Sequence, residues 1–263
     1  MHFDWHFFEH LLLHPPNSFI QGAIRTVYLA VIAQILGVGL GLLFALWRRN
    51  GRLPLRIFAS GYIWLVRGTP LLVQAVIVYD GLAGLGLYSF PDQHVFGVLI
   101  PGVIQAGIIT LAMNEGAYMA EIMRAAIDSV DRGQTEAAVS LGMRRRQAMR
   151  HVVLPQAMRV VIPPLGNEFN NMLKVTSLLS VIGLQELFLA AQDYNSATFR
   201  TFEIFLVVAI YYIAMTTIWS FIQSAIERRL AARGGDLIDR ITLRERLFGG
   251  GALAVAGQLR GAR

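Results

Sequence analysis

Long runs of residues without a charge limit the fold of this 263-residue chain more than any other feature. Thr26–Trp47 has 22 such residues, Val95–Asn114 has 20 and Ile204–Ile226 has 23, and most of them are apolar. A helix needs about 20 apolar residues to cross a hydrocarbon core of roughly 30 Å. Only 15% of the residues are charged, whereas a soluble domain carries roughly 25%. The sequence therefore predicts an integral membrane protein.

Two further apolar stretches contain residues that disturb a helix. The interruptions are Arg67-Gly68-Thr69-Pro70 in Ile57–Tyr79, and Pro163-Pro164, Asn167-Glu168 and Lys174 in Val160–Ala191. Proline lacks a backbone donor and glycine loosens a turn, so both stretches should be irregular helices. Together with the three unbroken runs they predict an all-α fold with five transmembrane helices. A polar loop is expected between the last two spans, at residues 193–203.

A pattern of small residues lies inside the first run. Gly37 and Gly41 are four residues apart, with Gly39 between them. Residues at i and i+4 share one helix face, and glycine there lets a neighbouring helix approach closely. We therefore expect tight packing of this span against another.

The distribution of arginine and lysine predicts the orientation, because cytoplasmic loops carry the excess of both. Four lie in residues 48–56, seven in 124–159 and eight after Ile226, but none in 1–18 or 80–95 and one in 192–203. The N-terminus is therefore expected outside and the C-terminus in the cytoplasm. The same count places the segment around residues 131–155 in the cytoplasm.

Composition and motifs argue against several classes of function. The chain has no cysteine, which excludes disulfides and thiol chemistry. Its net charge of +6 comes from arginines in short loops between apolar runs, which argues against nucleic-acid binding. Lys174, the only lysine, lacks the glycines of a phosphate-binding loop, so no nucleotide site or other cofactor is expected. Any ATP-driven activity would need a partner.

The first 16 residues are aromatic and rich in histidine. Four histidines recur every four residues and would form one stripe on a helix: His2, His6, His10 and His14. A metal or proton site is one interpretation. We prefer an interfacial helix with Trp5 and phenylalanines at headgroup level, ended by Pro15-Pro16. No positive region precedes an apolar run, so no cleaved signal peptide is expected.

A polar segment, Asp131–Pro155, interrupts this apolar protein. Thr135 could cap a helix with Glu136 in its first turn. Ala137, Ala138 and Leu141 would share one face, and Gly142 could adopt the left-handed conformation that ends a helix. A helix of about two turns is unstable alone in water. It must pack against something, either within the chain or on another protein.

Charged residues inside the apolar stretches are candidates for a transport site, since burying a charge in a membrane is costly. They are Arg67, Glu115, Glu121, Glu168, Lys174 and Glu186. The cations could hold a carboxylate, and Glu115, Glu121 or Glu168 could hold an ammonium group, so a zwitterion would be suited. The alternative for each is an ion pair that fixes helix register. That alternative is favoured for Glu121 and Glu186, which lie nearer the span ends.

The central segment resembles the cytoplasmic EAA loop of binding-protein-dependent ABC transporter permeases. The resemblance rests on Glu136-Ala137-Ala138, Gly142 and Leu154-Pro155. In that family the short helix docks into a groove on the ATPase subunit. The resemblance therefore implies that Glu136, Ala137, Ala138, Leu141 and Gly142 couple this chain to an ATPase.

Four more motifs resemble the polar amino-acid uptake branch of these permeases. They are Arg67-Gly68-Thr69-Pro70-Leu71-Leu72-Val73-Gln74, Asn114–Glu121, Pro163–Phe169 and Lys174-x-Thr176-Ser177-Leu178. The match runs from about residue 18 to 229. It implies a substrate site formed by Arg67, Gly68, Thr69, Gln74, Asn114, Glu115, Tyr118, Glu168, Lys174, Thr176 and Ser177. Two features exceed the family pattern, the basic stretch Arg144–Arg146 and the long tail.

The resemblance also implies the assembly and its location. The fold would be similar to that of methionine-type importer permeases, in the bacterial inner membrane. The partners would be an ATPase dimer, an extracytoplasmic amino-acid-binding protein and a second permease chain, identical or homologous. The expected organisation is an extracytoplasmic segment (1–18), a permease domain (19–230) with a coupling loop at about 125–159, and a basic cytoplasmic tail (231–263).

Two rival functions stay open at this point. A secondary transporter or channel for a small zwitterion would work alone, but it usually has more spans or internal repeats. A membrane enzyme would need a nucleophile, a metal cluster or an acid–base pair, and the N-terminal histidines are the only cluster in the sequence. We therefore expect a transport subunit rather than an enzyme, with no metal site.

Overall fold

The computed structural model describes residues 3–95 and 97–232, which are mostly helical. The α-helices are α1 Trp5–Leu13, α2 Asn17–Asn50, α3 Leu53–Arg67, α4 Leu71–Val76, α5 Leu82–Gly84, α6 Gly102–Asp128, α7 Arg132–Ser140, α8 Arg145–Ala148, α9 Leu154–Val175, α10 Leu187–Thr198 and α11 Thr201–Ala232. π-helical turns cover Ile77–Gly81 and Met149–Val153, and a 3-10 helix covers Thr176–Ile182. Strands β1 Gln93–Val95 and β2 Val98–Ile100 form an antiparallel hairpin.

The contact between α2 and α6 is the most extensive between any two described elements. A Cβ atom added to Gly37 would lie 2.5 Å from Cγ of Glu115, and one added to Gly41 would lie 2.5 Å from Cβ of Met119. Both distances are far below van der Waals contact, so only glycine permits this approach. A Cβ atom added to Gly39 would have no other atom within 4 Å. The prediction of close packing at Gly37 and Gly41 is confirmed.

A Gly37→Ala variant is expected to unfold more easily. The added methyl group would overlap Glu115, and overpacking of this kind costs about 1–3 kcal/mol. Gly39→Ala, two residues away on the same helix, is the matched control, because nothing lies within 4 Å of its Cβ position. Thermal unfolding of both purified variants in detergent measures the difference. An equal melting temperature for the two would show that α2 and α6 are not packed in this way.

By length and apolar composition together, the described residues contain two helices that could cross a membrane, or up to four if each bent pair is one span. Asn17–Arg49 and Thr201–Leu230 are long and apolar enough alone. Two pairs of helices are long and apolar enough only when each pair is taken as one bent segment. They are Leu53–Arg67 with Leu71–Gly84, bent by 111°, and Arg145–Ile182 with Leu187–Thr198, bent by 52°. The predicted break at Arg67–Pro70 is thus a sharp bend, and the helical geometry changes again at Thr176, just after Lys174.

Three local predictions are wrong. Pro163-Pro164 does not break the fourth stretch, because α9 continues through both prolines to Val175. The third run is not a helix from Val95. Gln93–Val95 and Val98–Ile100 form the hairpin, and α6 starts at Gly102 with Pro101 as its N-cap. The expected polar loop at 193–203 is largely helical, since α10 extends to Thr198 and α11 starts at Thr201.

The predicted N-terminal helix is present as α1, and it ends before Pro15-Pro16 as expected. Asp4 caps it by accepting a hydrogen bond from the Phe7 amide, and also accepts one from Arg200. These two donors hold the pKa of Asp4 below its ordinary value. The Arg200 guanidinium lies 4.6 Å from the centroid of the Phe7 ring. These contacts fix α1 to the turn between α10 and α11.

The histidine stripe can be followed only in part, since His2 lies outside the described residues. The rings of His10 and His14 are 5.4 Å apart. Within residues 3–95 and 97–232, no group of three or more histidine, aspartate or glutamate side chains could hold a metal ion.

The chain divides into two compact units, Met1–Ser224 and Ala225–Arg263. The first contains the helix core described above. The described part of the second, residues 225–232, is the end of α11. The predicted basic tail, 231–263, lies outside the described residues from position 233 onward.

Candidate functional site

The bend after α3 places the first predicted motif beside α6. Arg67 is the last residue of α3, and its guanidinium lies 5.3 Å from the centroid of the Tyr118 ring. Arg67, Gly68 and Tyr118 line a cleft of about 440 Å³, together with Trp64 and Glu121 among others. Three predicted site residues from two separate motifs therefore share one cleft.

A chain of hydrogen bonds holds the bend in place. Gln74 donates to the carbonyl of Val66 at 2.7 Å and to Oγ1 of Thr69 at 2.9 Å. Its Oε1 accepts from Nδ2 of Asn114 at 3.0 Å. Thr69 in turn donates to the carbonyl of Leu65 at 2.9 Å. These contacts satisfy backbone groups that the bend would leave unpaired. Gln74 and Thr69 therefore stabilise the bend that follows Arg67.

Two predicted carboxylates, Glu115 and Glu168, do not line this cleft. Glu115 is buried, and its Oε1 accepts a hydrogen bond from Nε2 of Gln34 at 2.9 Å. Glu168 on α9 is half-buried and lies within electrostatic range of both Glu115 and Arg67. Glu168 therefore interacts electrostatically with one cation and one acid on two other helices, and the three charges have the mixture of signs that a zwitterion requires.

The motif from Lys174 to Leu178 is arranged differently. Thr176 is fully buried and donates to the carbonyl of Leu173 at 3.0 Å. Ser177 donates to the carbonyl of Lys174 at 2.7 Å, while the Lys174 side chain is exposed. The two hydroxyls thus support the change from α9 to the 3-10 helix. The structure does not bring Lys174, Thr176 and Ser177 into the cleft beside Arg67.

Glu121 and Glu186 fill structural roles. Glu121 forms ion pairs with Arg48 and Arg124, as the register interpretation predicted. Glu186 is fully buried, caps α10 through the Leu189 amide, and accepts from Tyr212 at 2.8 Å. For Glu186 the expected ion pair is replaced by hydrogen bonds to neutral groups.

Gln34 is a site residue that the sequence reasoning missed. It is the buried partner of Glu115, and its own Oε1 accepts no hydrogen bond from any described residue. The signal was available, because Gln34 is a polar residue in the middle of the run Thr26–Trp47. Tyr62, which donates to the Met113 carbonyl, connects α3 to α6 and does not line the cleft.

The central segment folds as the short helix α7, with a different start from the predicted one. Asp131, not Thr135, is the N-cap, and its carboxylate accepts from the Gly133 amide at 2.7 Å. Glu136 consequently lies in the middle of the helix. Gly142 has a φ of +89°, so the predicted left-handed end is confirmed. The amide of Met143 bonds back to the carbonyl of Ala138 at 3.1 Å and closes the turn.

One side of α7 packs on the chain and the other is open. Ala138 is buried, whereas Glu136 and Ala137 are exposed and Leu141 is 83% exposed. The predicted common apolar face of Ala137, Ala138 and Leu141 is therefore divided between two environments. Val139 and Met143 beside Leu141 are also exposed, so this end of α7 has several apolar side chains open to a partner.

The sequence of this chain is similar to a known protein family and to named transport permeases. Residues 37–232 match the family described as the binding-protein-dependent transport system inner membrane component. The probable amino-acid permease protein YxeN of Bacillus subtilis is 39% identical over 228 residues, covering 87% of this chain and 96% of the relative. The glutamine transport system permease protein GlnP of Escherichia coli K12 is 36% identical over 211 residues, covering 80% and 92%.

Solved structures show the same relationship. The crystal structure of an amino acid ABC transporter with histidines has a TM-score of 0.77 at 41% identity, covering 87% of this chain and 100% of that chain. The inward-facing MetNI methionine ABC transporter has a TM-score of 0.63 at 16% identity, which shows a similar fold. These matches confirm the family predicted from the motifs. The chain therefore belongs to the family of inner-membrane components of binding-protein-dependent transport systems.

Proposed function

We propose that this chain is the membrane-spanning permease of an ATP-driven importer of polar amino acids in the bacterial inner membrane. The observation that carries the proposal is the exposed helix α7, ended at Gly142 and presenting Leu141, in a chain of this family. Two similar proteins are named as amino-acid or glutamine permeases, and the structure with the TM-score of 0.77 is an amino acid transporter. Their substrates support amino acids as the cargo here.

Five membrane spans are part of the proposal. They are α2, α3 with its bent continuation, α6, α9 with the following 3-10 helix, and α11. At 27 residues α6 has a length of about 40 Å, enough to cross the bilayer. The arginine count supports a cytoplasmic C-terminus and a cytoplasmic coupling loop at about 125–159. Residues 1–18 then face the outside, 19–230 form the permease domain, and 231–263 form the tail.

The mechanism is alternating access of a site near the cleft. Two permease chains, identical or homologous, form one pathway, and two ATPase subunits bind the α7 helices from the cytoplasm. Closure of the ATPase dimer moves these helices together and rocks the spans, so that the site opens toward a docked extracytoplasmic binding protein. In the cleft Arg67 holds the amino-acid carboxylate, and Glu115 and Glu168 attract its ammonium group.

Uptake in proteoliposomes tests the proposal. The permease, its ATPase and its binding protein are reconstituted, and entry of radiolabelled glutamine, glutamate and arginine is measured with and without internal or external ATP. Uptake of at least one of them should require ATP on the ATPase side and also the binding protein. Equal uptake without ATP would contradict the proposal and favour a stand-alone transporter or channel.

A further inference from the structure

A second cleft lies at the ends of α2, α3 and α6 and adjoins the cleft beside Arg67, since Arg48 and Ser60 line both. Its other polar residues have no part in the functions proposed above. We call it the arginine cleft. Its volume is about 290 Å³, and its polar lining is Arg48, Arg49, Arg56, Ser60, Arg124 and Asp128. We propose that the arginine cleft binds the phosphate of an anionic phospholipid.

The position of the cleft is at headgroup level. Asn17–Arg49 is long and apolar enough to cross a membrane, and Arg48 and Arg49 are its last two residues. A cation at the end of a span lies where the hydrocarbon meets the lipid phosphates. This placement holds for either orientation of the chain, because it depends only on α2 crossing the membrane.

The charges around the cleft leave a cationic excess. Four arginines and a single acid, Asp128, line it. Arg124 bonds to Asp128 at 2.9 Å, and Arg49 lies 3.9 Å from the same carboxylate. Arg48 pairs with Glu121. Arg56 has no hydrogen bond or ion pair with any side chain in residues 3–95 and 97–232, although it lines a cleft with three other cations.

Arg56 is therefore the cation of the cleft whose charge is least compensated, and the one best placed to bind an anion. Together with Arg48 and Arg49 it could surround a phosphate, and guanidinium groups match phosphate oxygens with paired donors. Ser60 is four residues after Arg56, on the same face of α3, and supplies a hydroxyl to the lining. Basic pockets of this kind between membrane helices hold the headgroups of anionic lipids.

Apolar side chains beside the cleft favour a lipid over free phosphate. Leu46 on α2 is 46% exposed, and Ile57 and Phe58 next to Arg56 are 64% and 60% exposed. Phe58 lies 6.2 Å from Trp47, ring centroid to centroid, so an aromatic pair stands beside the cationic pocket. Phosphate needs no apolar surface, whereas a phospholipid brings acyl chains that would cover these residues.

The Arg56→Gln variant tests the inference in the full-length protein. Wild type and variant are reconstituted in nanodiscs of phosphatidylcholine with a minor fraction of phosphatidylglycerol, and retained lipid is measured by native mass spectrometry. We expect the variant to retain about fivefold less phosphatidylglycerol, since one cation near the surface contributes about that factor. Arg52→Gln is the matched control, because Arg52 is exposed, four residues before Arg56, and does not line the cleft.

Three results would overturn the inference. The first is equal loss of phosphatidylglycerol in both variants, which would indicate general surface charge. The second is displacement of phosphatidylglycerol by inorganic phosphate at the same concentration, which would identify a soluble anion as the ligand. The third is unchanged lipid retention with weaker ATPase association in Arg56→Gln, which would make the cleft a protein contact.

Discussion

A Gly142→Asp variant is expected to lose about tenfold or more of its ATP-driven uptake while still entering the membrane. Gly142 has a φ of +89°, where most residues with a Cβ atom are strained by roughly 1–2 kcal/mol, asparagine and aspartate less than the others. No atom lies within 4 Å of its Cβ position, so steric overlap adds nothing. The new carboxylate would lie at the negative end of α7, which is also unfavourable. The turn that presents Leu141 should therefore open.

The Gly142→Asn variant separates these causes. Asparagine adopts the left-handed conformation more readily than other residues with a side chain, and it adds no charge. We expect it to keep most of the uptake. Co-purification with the ATPase subunit, together with uptake in proteoliposomes, measures coupling for both variants. If Gly142→Asp associated with the ATPase and transported as well as wild type, this turn would not be the coupling element.

The end of α7 could be predicted from the sequence, but its start could not. Only one residue in the segment, Gly142, both follows the apolar pattern and tolerates a positive φ. At the other end two cap residues compete, Asp131 and Thr135. A cap at Asp131 satisfies the Gly133 amide and adds a further turn of backbone hydrogen bonds. The energies of two such caps differ too little for the sequence alone to decide between them.

The course of α9 through Pro163-Pro164 depends on contacts that are distant in sequence. The Trp219 side chain donates to the Gly166 carbonyl at 2.7 Å, and Gln223 donates to the Pro163 carbonyl at 3.3 Å. Polar side chains of α11 thus brace α9 beside the residues that weaken it. A rule based on proline alone cannot include this compensation, and it therefore predicted a break.

The candidate site also depends on contacts between residues that are distant in sequence. Arg67 and Tyr118 were each identified from their own motif, and the bend at Gly68–Pro70 was predicted from its composition. Their shared cleft depends on how α3 and α6 meet, which is a tertiary property. Gln34 was missed because burying a neutral amide in a span costs less than burying a charge, so it is a weaker indication of a site. Its bond to Glu115 shows that neutral polar residues in apolar runs belong in any list of candidates.

Replacing Arg67 should reduce transport without destabilising the protein. Arg67 is exposed in the cleft, and its described contact is with the Tyr118 ring, so Arg67→Gln removes little packing. It removes the cation that we assign to the substrate carboxylate. A hydrogen bond to a charged group contributes about 1.5–3 kcal/mol, so uptake at low substrate concentration should fall by roughly tenfold or more.

The Arg67→Lys variant distinguishes charge from geometry. Lysine keeps the positive charge but lacks the planar pair of donors that grips a carboxylate, so its uptake should lie between that of wild type and Arg67→Gln. Uptake as a function of substrate concentration, and ATP hydrolysis by the assembled transporter, are measured for all three proteins.

Unchanged hydrolysis without substrate would show that the assembly is intact. If Arg67→Gln then transported with wild-type concentration dependence, Arg67 would not contact the carboxylate, and the cleft beside Tyr118 would not be the substrate site. The same result would leave the coupling role of α7 untouched, because Arg67 lies on α3 and makes no described contact with Leu141 or Gly142.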